Sequence, residues 1–471
     1  MSKRLLIALG VALAVLVPLG YFWATSLVPG NYSAMDMGYA DYGGGPASGH
    51  MHHGGQSVAD LKGPTGTPSV VVTLVARKQK FSLPSGESVD VYTVNGTSPG
   101  PLIRARVGEL VEVTLVNESV SSGVTLHWHG IDVPNAEDGV AGVTQDAVPV
   151  GGRHVYRFKA AQAGTYWYHS HQTSDKEVKG GLFGPIVIGP SVPGEVIATI
   201  HTYNGRRTIN GRTGSQSLNL PAGTPVRLRV INTDNALIRT GLVGTPYKVL
   251  AVDGRDLHGP TPTTAAFPLA AGARVDLEAT VPATGLRLDA GTATLAIGAA
   301  PSGVLSSETV DLLTYGTPSP LGLDVTHPDR TFDYRIGRRV GFLDGKPGLW
   351  WTINGHKYPD VPMYMVAEGD VVRMKISNTS GQSHPMHLHG HHAVVLSRNG
   401  TASTGTPWWI DTLEVANNET YEIAFLADNP GLWMDHCHNL PHASQGLVTH
   451  LAYEGVSTPY KIGGPTSNKP E

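Results

Sequence analysis

Apolar and polar positions alternate along this chain in short runs closed by turn residues, as from Ser69 to Ala76, Val89 to Val94 and Leu110 to Val116, and each run predicts a half-buried strand. One arrangement of such runs recurs. Val94-Asn95-Gly96 is followed by Gly108 and an apolar alternation ending at Asn117; the pattern returns as Ile209-Asn210-Gly211, Gly223 and Asn232, and again as Ile353-Asn354-Gly355, Gly369 and Asn378. Three copies predict three homologous strand-rich units, and their size suits Greek-key folds. The repeat glycines read as turn positions that need a positive φ.

Two stretches before Ser69 break the pattern. Met1-Ser2-Lys3-Arg4 precedes an uncharged run from Leu5 to Met35, apolar through about Val28, which reads as an export signal or a membrane anchor with its basic end cytoplasmic. Leu5 to Val17 fits a signal's apolar region, whereas Leu5 to Val28 is long enough to span a bilayer. Ala24-Thr25-Ser26 offers a mediocre cleavage site, and Lys3-Arg4 is not a twin arginine, so cleavage and export route stay open. From about Pro29 to Pro68 the composition is Gly-, Ser- and Pro-rich without periodicity, which predicts a flexible linker. It carries Met35, Met37, His50, Met51, His52 and His53, either as bystanders of a plain tether or as ligands for transient copper capture.

Composition agrees with strands over helices: among 471 residues there are 58 Gly and 34 Pro, with 15% charged. The net charge of −4 and the lack of a Lys/Arg run argue against nucleic acid as a partner. A single cysteine, Cys437, excludes an intramolecular disulfide.

That cysteine lies in the most informative stretch, Trp433 to Leu447. Cys437 with His442 and one histidine from elsewhere would make a trigonal site suited to copper that passes single electrons. His436 and His438 flank it, and on an extended strand they point to the opposite side, toward a second metal site. Upstream stand His384-Pro385-Met386-His387-Leu388-His389, His127-Trp128-His129 and His169-Ser170-His171. A lone His-x-His pair is most often a surface or structural feature; four pairs, one enclosing the only Cys, point to metal.

At these motifs the sequence resembles the multicopper oxidases, in their three-domain laccase-like branch, from about Val70 to Gly455. The resemblance implies an all-β fold of three consecutive cupredoxin-like Greek-key β-barrel domains after the apolar segment and linker. We expect a signal or anchor over 1–28, linker over 29–68, domains over 69–193, 194–330 and 331–460, and a tail over 461–471. The resemblance further implies four copper ions: a type 1 ion held by His384, Cys437 and His442; a type 2 ion by His127 and His387; and a type 3 pair, one by His129, His169 and His438, the other by His171, His389 and His436. The trinuclear cluster is expected between domains one and three, with domain two, whose His201, His258 and His327 are unpaired, as a spacer. Asp138, in an Asp-Gly element after the first motif, would orient water and help deliver protons; the plain alternative is a turn aspartate.

The implied activity is oxidation of phenolic, aromatic or metal-ion donors coupled to reduction of dioxygen to water, by an exported protein, monomeric by default. Alternatives are a specialised Cu(I) or metal-ion oxidase, a nitrite-reductase-like enzyme, which would not need His436 and His438, and a non-catalytic copper binder, which would have lost ligands. Two positions depart from the family pattern: Leu447 stands where a methionine could be an axial ligand, and the acidic residue that many relatives carry between or just after Cys437 and His442 is missing. His154, His356, His391 and His392 read as structural or surface residues, with His391 also open to supporting a metal ligand from outside, and the domain-three methionines read as core packing.

Overall fold

The three Asn-Gly turns explain the repeat. Asn95, Asn210 and Asn354 all adopt left-handed φ (52°, 51° and 54°), each followed by a glycine of positive φ. Each asparagine carboxamide reaches back to the first strand of the hairpin that precedes its turn: Asn95 to Val75 N–H and Thr73 C=O, Asn210 to Thr199 and Ile197, Asn354 to Arg335 and Asp333. In each copy that first strand pairs in parallel with the strand that ends at the second repeat asparagine: Val70–Ser82 with Leu110–Asn117, Glu195–Tyr203 with Pro225–Asn232, Arg330–Leu343 with Val371–Asn378. Asn117, Asn232 and Asn378 are fully buried, and their amides bridge loop carbonyls.

The computed structural model describes residues 2–46, 55–82 and 88–471, without side chains for 81–90. The chain forms three units, each of two facing sheets. The first has two four-stranded sheets, the second a seven- and a five-stranded sheet, the third a six- and a seven-stranded sheet. No sheet closes on itself among the described residues, so these are open sandwiches, in contrast to the barrels expected. Each core is apolar, with Leu74, Val113 and Phe158 in the first, Leu228, Leu277 and Leu288 in the second, and Phe332, Phe425 and Trp433 in the third.

Before the sandwiches comes a helix, Lys3–Ala24, capped by Ser2, with no buried residue; it is long and apolar enough to cross a membrane. The segment expected to be a flexible linker is, where described, ordered against the third sandwich. Asn31–Tyr32 pairs with Ile462–Gly463, Tyr39–Asp41 with Pro362 to Tyr364, and Gln56–Ser57 with Val456–Ser457. Strands of two or three residues leave no periodicity to read, which is why composition alone misleads here. Met37 is buried in the third core and Met35 packs against it, so neither thioether hangs free. His50, Met51, His52 and His53 lie outside the described residues.

Candidate metal centres

Two sets of donors meet on the strand Leu432–Cys437 and the residue that follows it. This strand pairs antiparallel with His384–Leu388, setting Met386 opposite Cys437 and His387 opposite His436. Alternation along the strand sends Cys437 to one side and His436 with His438 to the other.

On the first side, Cys437 Sγ lies 3.6 Å from His384 Nδ1 and 3.8 Å from His442 Nδ1, and the two Nδ1 atoms are 3.2 Å apart. His442 comes from the short helix Leu440–Ala443. Donor bonds of about 2.0–2.3 Å in a trigonal plane would hold such atoms roughly 3.5 Å apart, so the spacing fits one metal ion. Ser380 Oγ meets His384 Nε2 at 2.7 Å, which leaves Nδ1 as the donor. Burial, then Arg338, hold His442 down to about 4; burial, His442 and Arg338 hold His384 down to about 3, so both rings are neutral ligands near neutral pH. Burial pushes the Cys437 thiol well up, and a cation is what would hold it as thiolate. Leu447 is buried in the third core, and its carbonyl accepts the Cys437 N–H at 3.1 Å.

On the other side, His127, His129, His169 and His171 of the first sandwich face His387, His389, His436 and His438 of the third, all buried. His127 Nε2 is 3.4 Å from His387 Nε2, and His436 Nε2 is 3.4 Å from His171 Nε2 and 3.3 Å from His389 Nε2. The rings of His129, His169 and His438 are mutual neighbours, with centroids 4.9–5.7 Å apart. Outer bonds fix several rings: Asp138 meets Nδ1 of His127 and of His389, the Asp411 carbonyl meets His387 Nδ1, and the Ser170 and Pro470 carbonyls meet Nδ1 of His169 and His171. Each bond turns the other nitrogen inward.

Buried His169 Nε2 and both nitrogens of His438 have no hydrogen-bond partner, an arrangement that is costly without a ligand. Burial, then neighbouring imidazoles, lower His129, His169, His171, His387, His389 and His438 well below the usual range, so their lone pairs are free. The nest therefore fits several metal ions. Three-donor groups occur as His127/His387/His389, His171/His389/His436 and others that overlap them, so proximity alone does not divide the nest.

Several side chains here carry no sequence motif. Asp411 lies 3.2 Å from His129 Nε2 and is held by Arg274 of the second sandwich at 2.6 Å. Arg274 is fully buried, also donates to the Thr165 carbonyl of the first sandwich, and sits 3.4 Å from Asp253. Gly272 stands against the nest: a Cβ there would come 2.9 Å from His438 and 3.0 Å from His129. The second sandwich is thus a wall of the site as well as a spacer. His392, expected to be merely structural, reaches Asp411 Oδ2 at 3.6 Å, while His391 bonds Tyr453 and the His389 carbonyl. The C-terminal stretch, expected to be a plain tail, brings the Glu471 carboxylate to 2.9 Å from His436 Nδ1 and 2.5 Å from Ser174 Oγ.

A cysteine-imidazole site joined through one strand to a buried histidine nest can hold several metal ions, and together with the relatives that follow it makes this a copper-dependent oxidoreductase that uses dioxygen as acceptor. Comparison with known proteins agrees: models of the multicopper oxidase family match residues 76–192 and 332–455. Laccase-1 of Botryotinia fuckeliana is 29% identical, over 87% of this chain and 86% of that protein, and multicopper oxidase MmcO of Mycobacterium tuberculosis is 27% identical, over 84% and 89%. Among solved structures, a multicopper oxidase from Pseudomonas thermotolerans aligns with a TM-score of 0.68 at 29% identity, over 82% of this chain and all of that one. The chain belongs to the multicopper oxidase family.

Proposed function

We propose that this enzyme is a laccase-like oxidase of phenolic, aromatic or metal-ion donors, with His384, Cys437 and His442 holding a type 1 copper. His127 and His387 hold a type 2 copper; His129, His169 and His438, and His171, His389 and His436, hold a type 3 pair. When bound, these ions supply one-electron acceptance at the first site and four-electron reduction of dioxygen to water at the second. One observation carries the reading: Cys437 faces the first donor set while its covalent neighbours His436 and His438 face the second, so a single residue joins the two. Asp138 accepts the Nδ1 protons of His127 and His389 and so aims both Nε2 atoms into the nest, and we assign it the role of orienting water and helping deliver protons. Trp167, whose indole N–H donates to the Gly272 carbonyl, helps close the nest to water. We read the helix Lys3–Ala24 as an anchor that leaves the sandwiches outside the cytoplasmic membrane. The alternative of a specialised Cu(I) oxidase is weakened by the burial of Met37.

Oxygen uptake by copper-loaded protein with 2,6-dimethoxyphenol tests this. The expected result is four donor electrons consumed per dioxygen without free peroxide, and no turnover or blue absorption in Cys437→Ser. Stoichiometric peroxide, or a blue and active serine variant, would overturn it.

A further inference from the structure

The helix Lys3–Ala24 is long and apolar enough to cross a membrane, and none of its residues is buried by protein. Its C-terminal end is attached to a particular place. The Ser26 carbonyl accepts the Asp344 N–H at 2.8 Å, and Ser26 Oγ accepts the Gly345 N–H at 3.1 Å. Trp23 lies so close over Gly345, which has a φ of +70°, that a Cβ would come within 2.8 Å of its indole nitrogen. Asp344-Gly345 is the turn of the hairpin formed by Arg330–Leu343 and Lys346–Ile353. Near that turn Val340 and Leu349, directly paired across the hairpin, are 80% and 52% exposed. A membrane-crossing helix fixed to the hairpin therefore brings this apolar pair to the lipid surface.

Between the end of the helix and the hairpin lies a cavity of about 590 Å³, large enough for an aromatic ring with a chain attached. Val28 and Pro29, just after the helix, line it on one side, and Leu343 and Trp350 of the hairpin line it on another. Its inner wall includes Ala443, Ser444 and Gly446, the turn that immediately follows His442. The lining also includes His450, which is buried, with an Nε2 that has no partner. Beside Gly446 the hydroxyls of Tyr32 and Tyr358 meet each other.

We infer that this cavity takes its reductant from the bilayer, and that the reductant is an alkylated hydroquinone whose ring enters toward His450 and the turn after His442 while its chain stays at the lipid surface. The inference rests on reading His442 as a ligand of the electron-accepting site. The balance is simple: each hydroquinone loses two electrons and two protons to become a benzoquinone, and two of them supply the four electrons and four protons that convert one dioxygen to two waters. Of the polar groups that line the cavity, which also include Ser444, Ser467, Asn468, Lys469 and Glu471, the unpartnered His450 Nε2 and the tyrosine hydroxyls are those we assign to the hydroquinone oxygens. Arg339 and Lys346 of the hairpin, both exposed, add positive charge suited to anionic headgroups at the same surface.

The test uses full-length copper-loaded protein reconstituted in vesicles of phosphatidylcholine and phosphatidylglycerol. Oxygen uptake is compared with 2-decyl-1,4-benzohydroquinone in the same vesicles, with that hydroquinone in separate vesicles, and with water-soluble 2,6-dimethoxyphenol. Turnover at least tenfold faster from the shared bilayer is expected. Val340→Asp combined with Leu349→Asp should remove most of that advantage and leave dimethoxyphenol turnover within about twofold of the parent. Equal rates from shared and separate vesicles, with dimethoxyphenol still oxidised, would overturn the inference and leave the oxidase reading standing. Failure with every donor would overturn the oxidase reading, and this inference with it. Should the double variant not fold, the shared-against-separate comparison on the parent protein decides alone.

Discussion

At the scale of single residues, we propose that Leu447 sets the character of the Cys437 site. Its apolar side chain offers no donor, while its carbonyl is committed to the Cys437 N–H. A thioether in this position would favour Cu(II), which gains from a fourth ligand, over Cu(I), which is content with three. Leu447→Met should therefore lower the potential found by redox titration of the blue band; an unchanged or higher value would show that side chain 447 does not face the copper. Glu177 supports the nest from behind: it accepts hydroxyls from Ser122, Ser170 and Thr173, the middle one lying between His169 and His171. Burial outweighs these bonds and raises its carboxyl to about 7. Since an unfolded glutamate ionises near ~4.3, the folded chain holds an extra proton between these values, and Glu177 makes stability fall as pH rises through that window and level off above it. Glu177→Gln should flatten this part of the urea-denaturation profile between pH 4.5 and 8 by up to about 3 kcal/mol. A parent-like slope in the variant would show that Glu177 stays ionised in the folded protein.

At the scale of elements, the turn between Phe267–Leu269 and Arg274–Thr280 is shaped by what it touches. Gly272 has a φ of +88° and no room for a methyl group against His438 and His129. Gly272→Ala should displace both rings, lowering copper content and cutting dioxygen reduction at least tenfold, on the scale of a lost supporting contact, while the blue band of the Cys437 site remains. Full copper loading and normal turnover would mean that the second sandwich does not shape the nest. Neither Gly272, Arg274 nor Asp411 could be read from sequence, because each is a common residue in unremarkable surroundings whose meaning depends on three sandwiches meeting. The histidine pairs were legible because i and i+2 share a face of any strand, whatever the strand packs against. The Asn-Gly repeats were legible for a similarly local reason, since each turn directly follows a hairpin and bonds back to that hairpin's first strand. The described parts of the segment after the helix differ from the flexible linker that composition predicts, because their order comes from edge pairing with distant strands such as Ile462–Gly463.

At the scale of the whole molecule, the nest lies where separate sandwiches meet. His127 belongs to the first and His387 to the third, yet their Nε2 atoms are 3.4 Å apart, and Asp138 of the first holds His389 of the third. The seam is tied beyond the histidines: the Asn135 side chain bonds the Leu432 backbone at both N–H and C=O, and the Asn429 amide donates to the Val133 carbonyl. Arg274 ties the second sandwich to both others through Thr165 and Asp411. An ion held jointly by two sandwiches binds only when they are docked, so its binding free energy adds to the stability of the assembled chain. At a thousandfold excess over its Kd, one ion contributes about 4 kcal/mol, or roughly 5 °C in Tm for a cooperative unit of some 400 residues. Copper-loaded protein should therefore melt well above the apoprotein, with Tm rising as copper is titrated in. His387→Ala, which removes one side of the shared site, should shrink this increment, whereas Cys437→Ser should leave the part due to the nest intact. Calorimetry of these proteins with and without copper makes the comparison. A midpoint independent of copper content would mean that the ions do not bridge the first and third sandwiches.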